Sequence, residues 1–172
     1  MRSRVTLSLI GVLALAPAWC LVPVATQAQG AAEPAAVERG RVVYRDLARC
    51  SYCHGWNGQG AIPAEEAPPA PLSLSQLDAT AMVEVVRCGR PAKSMPRHTR
   101  AAWSEKDRCY GQTAGDLAAR DLPVAAPAWL TNQQIADVVA FLRATIQGKE
   151  ITRANCVRYW GEGAPECAGL QR

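Results

Sequence analysis

The stretch RDLARCSYCHGWNGQG, residues 45–60, puts Cys50 and Cys53 three positions apart with His54 directly behind the second cysteine. Three chemistries use such a triplet: a redox dithiol, half of a zinc site, or a covalent attachment point for haem. A structural zinc site needs four ligands, and beyond the triplet the chain offers only His98 and scattered cysteines without a second close pair. A thioredoxin-like dithiol belongs beside a strand-turn-helix pattern in an α/β chain, and the sequence has no such pattern. Haem attachment needs only what is present. Two thiols add to the two vinyl groups, and the adjacent histidine is then held under the iron as an axial ligand, which is why the spacing is tight. In a chain of this composition chance would give about 0.003 such triplets, so haem attachment is the reading that the rest of the sequence has to fit.

Working outward, the N-terminus reads as an export signal. Arg2 and Arg4 precede an apolar run from Val5 to Val22, and VATQAQG then offers small residues for cleavage after Ala28. Residues 1–28 are thus expected to be a signal peptide, and the mature chain to be periplasmic. The alternative is an uncleaved membrane anchor, since about 18 apolar residues are just enough to span, but Pro17 interrupts the run and Pro23 bounds it. Cys20 follows Trp19, where lipoprotein processing would require a small residue. Cleavage would remove Arg2, Arg4 and Cys20, lowering the formal charge from +4 to +2 and leaving six cysteines. An even count in an exported chain points to an oxidising compartment and covalent bridges. The near-neutral balance gives no reason to expect a nucleic-acid partner.

The remainder, 49% hydrophobic and 20% charged over 172 residues, suits one folded, water-soluble domain plus extensions. Its apolar content is mainly Ala, Val and Leu, and the patterning is helical. Residues 36–47 place Val37, Val43, Tyr44 and Leu47 near one face of a first helix. The Gly- and Pro-rich block after His54 is a loop. Asp78 can cap a second helix that Gly89 and Pro91 end, and Thr131 with Gln134 forms a capping box ahead of Ile135, Val138, Val139 and Leu142 at helical spacing. Residues 97–129 hold no strong period, although TAGDLAARDL can form a helical turn. No strand-like alternation competes, so the expected fold is all-α.

With these elements in hand the sequence resembles the class I c-type cytochromes. The resemblance rests on the Cys50-x-x-Cys53-His54 triplet, on Gly40 and Tyr44 ahead of it, and on a last helix whose Phe141 is similar to the aromatic that sits near the crossing with the first helix. It implies a monohaem fold with helices around one covalently attached haem c, Cys50 and Cys53 holding the group and His54 ligating the iron. A cytochrome domain is expected over residues 35–150, with a C-terminal extension at 151–172. The segment CGRPAKSMPRH is similar to the family's Met-Pro loop, which makes Met95 the expected sixth ligand and His98 the next choice. The bland alternative for His98 is an exposed loop residue. Met82 lies beside Val85 and Val86 in the second helix and reads as core. A soft thioether raises the reduction potential and fills the iron's coordination, so the implied function is electron transfer and not catalysis.

Four cysteines remain. Local pairing, Cys88 with Cys109 and Cys156 with Cys167, closes two modest loops and would fix the methionine segment and staple the tail. Arg87, Arg90, Lys93, Arg97 and Arg100 form a run without an acid, expected either to dock an acidic redox partner or simply to solvate a loop. The C-G-R-P before Met95, the Cys-Tyr-Gly at 109–111 and the two-cysteine tail look like periplasmic cytochromes that accept electrons from quinoprotein alcohol dehydrogenases. A carrier between such a dehydrogenase and an acceptor such as a terminal oxidase is the leading expectation. A haem subunit of a stable dehydrogenase complex, and a haem enzyme with a labile sixth ligand, are the alternatives.

Overall fold

The protein is described from a computed structural model, in which residues 32–60, 69 and 71–170 are placed. The expected signal peptide, with Cys20, and most of the Gly- and Pro-rich loop lie outside the described residues. The fold is all-α, and among the described residues no strand forms; Arg97 and Ala125 make only an isolated bridge.

Helix α1 (Pro34–Val42) starts two residues earlier than its apolar pattern predicts. Glu33 accepts hydrogen bonds from the Ala35 and Ala36 amides, and Pro34 occupies the first turn, where a missing N–H costs nothing. The helix then widens into a π turn over Val43–Leu47. The extra residue in that turn shifts the inward face by one position. As a result Ala48 is buried and Leu47, expected inside, is 41% exposed.

A single turn, α2 (Ser51–His54), follows. Helix α3 (Ala79–Cys88) starts at its Asp78 cap, whose carboxylate accepts from the Ala81 amide at 2.8 Å, and ends at Gly89. Helix α4 (Asn132–Thr145) opens with the reciprocal Thr131 and Gln134 hydrogen bonds. Between α3 and α4 the chain makes two short 3-10 turns, Ala114–Asp116 and Ala119–Asp121. The tail holds a helix that the sequence pattern did not suggest, α5 (Arg153–Trp160), capped by Thr152.

The core is organised by the crossing of α1 and α4. A Cβ on Gly40 would lie 1.9 Å from the Asp137 carbonyl oxygen and 2.8 Å from Phe141 Cβ, so only glycine permits this approach. Val37, Tyr44, Met82, Val86, Ile135, Val138 and Leu142 fill the space around the crossing. Each such side chain contributes roughly 1.5–3 kcal/mol when fully buried. Beside it Arg39 grips buried Asp137 with two hydrogen bonds of 2.9 and 3.0 Å. A second, small core gathers Cys88, Ala102, Trp103 and Cys109 under the segment that follows α3. Both expected disulfides, Cys88–Cys109 and Cys156–Cys167, are formed. Among the described residues no helix is long and apolar enough to cross a membrane.

Candidate haem site

The π turn ends where the Ala48 amide donates to the Val43 carbonyl, and Arg49, in the left-handed region at φ 54°, turns the chain into α2. Within that turn the His54 amide donates to the Cys50 carbonyl at 2.9 Å, and the Cys53 amide to the same oxygen at 3.2 Å. Cysteines three apart on one helical turn share a side, so the two sulfurs can address one flat group. Buried Tyr44 fixes the far end of the turn, its hydroxyl donating to the Gly55 carbonyl at 2.7 Å.

Cys50 packs against the main core, and burial pushes its thiol up to about 12. A reactive dithiol works through a lowered thiol pKa, so this environment argues against the redox-dithiol reading. Cys50 and Cys53 stand outside both disulfides. Burial also holds the His54 imidazole below its ordinary pKa, favouring the neutral form that ligates metal. Among the described residues no three of His, Cys, Asp and Glu gather as a bound metal ion would require.

Met95 lies in a distant part of the chain. It packs, half-buried, against the main core, as do Cys50, Trp56, Leu72, Leu77 and Val83. The strap that carries it leaves α3 at Gly89, where φ is +69° and a Cβ would meet the Met95 oxygen at 2.7 Å. The Arg90 amide closes the strap by donating to the Met95 carbonyl at 3.2 Å. Two aromatics hold its root: Trp103 of the second core donates through Nε1 to the Cys88 carbonyl at 2.8 Å, and the Tyr110 hydroxyl donates to the Gly89 carbonyl at 2.7 Å. The Cys88–Cys109 bridge ties the same two segments covalently. Trp103 was not singled out from the sequence, and Tyr110 only as part of the Cys-Tyr-Gly at 109–111, because the sequence carries no signal for contacts this non-local.

His98 is buried, with only 4% of its surface exposed, which overturns the exposed-loop alternative. Its Nδ1 lies 3.3 Å from the Ala128 carbonyl, and its own carbonyl accepts from the Leu130 amide at 2.9 Å. Burial lowers its pKa, with the Ala128 contact opposing. Met82 lies in the core of α3.

The basic run divides. Arg90, Lys93 and Arg100 are exposed, and Arg100 lies over the Trp129 ring at 5.4 Å. Arg87 turns inward to an ion pair with Asp107 and a hydrogen bond to the Arg108 carbonyl. Arg97 also turns inward, donating through one terminal nitrogen to the Pro123 carbonyl.

Whether haem fits these residues can be judged from the polar atoms left over. Among the described residues three buried side-chain atoms have no hydrogen-bond partner: His54 Nδ1, Arg97 Nε and Thr99 Oγ1. All three belong to the triplet or to the strap around Met95. Such atoms are costly to bury unmet, and their occurrence on these two segments suits a polar-edged group that both would contact. A groove beside α4, lined by Val37, Ala79, Val139 and Arg143, contains none of these residues.

A family model described as cytochrome c matches residues 37–145. No curated protein and no solved structure gives a significant match.

Proposed function

The chain belongs to the cytochrome c family, and on that premise we propose that it is a soluble, periplasmic, monohaem carrier that shuttles single electrons. The family binds haem c and transfers electrons. The finer reading assigns Cys50 and Cys53 to thioether attachment, with His54 and Met95 as the residues that would ligate the iron. Haem c, when bound, supplies an iron that alternates between ferrous and ferric states. The observation that carries the reading is that Cys50 and Met95, 45 positions apart in sequence, both pack against the one main core. That core would shield the bound group from water, and the doubly anchored strap would hold the thioether sulfur in place against competing small ligands. His54 is kept neutral and free to ligate.

Arg90, Lys93 and Arg100 supply the exposed basic charge of the strap, and they would steer an acidic redox partner towards it. The C-G-R-P before Met95, the Cys-Tyr-Gly at 109–111 and the two-cysteine tail support a quinoprotein alcohol dehydrogenase as donor, with an acceptor such as a terminal oxidase downstream. The test is the visible spectrum of the purified protein with dithionite, with and without carbon monoxide. A carrier with both axial positions filled gives a ferrous spectrum that carbon monoxide leaves unchanged. Ready carbon monoxide binding would instead mark an open iron and a haem enzyme.

A further inference from the structure

Arg97 differs from Arg39 and Arg87. Arg39 and Arg87 each meet a carboxylate, whereas among the described residues no carboxylate lies within ion-pair distance of Arg97. Its position is nonetheless fixed. The Arg97 amide donates to Val124 and the Ala126 amide to Arg97, both at 2.9 Å, and a terminal guanidinium nitrogen donates to Pro123. Such anchoring leaves the buried Nε hydrogen with no acceptor. Two residues on, Thr99 repeats the situation. Its amide donates to the Arg87 carbonyl at 3.2 Å, and its hydroxyl is buried without a partner.

A guanidinium with no carboxylate partner and a buried, unmet Nε, together with a buried, unmet hydroxyl two residues on, calls for an anion with more than one acceptor oxygen. Charge-assisted hydrogen bonds donated to a carboxylate by the Arg97 Nε and the Thr99 hydroxyl would satisfy both. We propose that Arg97 and Thr99 form a carboxylate-binding site, and that its ligand is a propionate of the haem whose iron Met95 ligates. The inference rests on the proposed covalent haem and adds to it the residues that recognise its acidic edge. Arg97 is then a positioning and tuning residue: a fixed cation beside the group disfavours the ferric state and holds the potential up.

The experiment compares wild-type holoprotein with Arg97→Gln, Arg97→Lys and Thr99→Val, reading covalent haem by denaturing gel stain, the reduction potential, and the propionate bending bands in resonance Raman. With haem attached in all four, Arg97→Gln should lower the potential and shift the propionate bands, Arg97→Lys should restore most of the potential, and Thr99→Val should shift the bands. If Arg97→Gln fails to accumulate, the bands of Thr99→Val decide. Attached haem with wild-type bands and potential throughout would overturn the site and leave the haem reading standing. A wild-type chain without attached haem would overturn both.

Discussion

The Tyr44 hydroxyl donates to the Gly55 carbonyl at 2.7 Å, so a fully buried ring from the end of the first helix grips the chain one residue after His54. The same ring leans on Phe141 at 5.4 Å, which links the triplet to the α1–α4 crossing. Tyr44→Phe keeps the packing and leaves a buried carbonyl unmet, a loss of about 1–3 kcal/mol. The midpoint of urea unfolding should fall accordingly. Tyr52, 74% exposed, is the control, and Tyr52→Phe should stay within about 0.5 kcal/mol of wild type.

Acid stability should depend on Asp137. The hydrogen bonds from Arg39 hold its carboxyl below the ordinary carboxylate pKa, against burial, with Gln133 adding to the effect. A group with a depressed folded pKa contributes stability above its unfolded pKa and loses it as pH falls through the folded value. Unfolding midpoints measured from neutral pH down into the acid range should therefore drop, and Asp137→Asn should flatten that slope. An unchanged slope would remove Asp137 from the explanation.

Much of this was readable in the sequence because the signals were local. Asp78, Thr131 and Gln134 act on amides within three residues, and the Cys-x-x-Cys-His triplet is one helical turn. The cysteine pairs, though non-local, followed from closing the shorter loops. What escaped the sequence depends on shape. A π turn leaves no compositional mark, so Leu47 looked buried in place of Ala48. Helix α5 is short and its Thr152 cap stood in a segment that read as a bridged tail. Arg87 and Arg97 looked like members of an exposed run because Asp107 and Pro123, which receive them, lie 20 and 26 residues further on. For the same reason the burial of His98 against Ala128 had no local signature.

The two disulfides should separate by their effects. Cys88–Cys109 roots the Met95 strap, whereas Cys156–Cys167 closes only the tail around α5. Replacing either pair with serine should cost about 2–4 kcal/mol. Only Cys88→Ser with Cys109→Ser should also weaken the long-wavelength absorption of sulfur-ligated ferric haem, matching the direction of Met95→Ala. Met82→Leu, a volume-conserving core change costing under about 1.5 kcal/mol, should leave that band intact. A band unmoved by Met95→Ala and abolished by His98→Ala would transfer the ligand role to His98.

Docking should respond to the exposed cations and not to the inward pair. Electron-transfer rates with an acidic partner should fall as salt rises, and charge reversal at Arg90, Lys93 and Arg100 should lower the wild-type rate and its salt dependence together. Rates indifferent to both changes would assign these side chains to solubility alone.

The central claim is covalent haem on the triplet, and acid-acetone extraction of the chain produced in a host with working cytochrome c maturation tests it most directly. The wild-type polypeptide should keep its haem colour through extraction, and Cys50→Ser with Cys53→Ser should lose it to the solvent or never acquire it. A wild-type chain that emerges colourless would contradict the assignment of Cys50, Cys53 and His54 to haem.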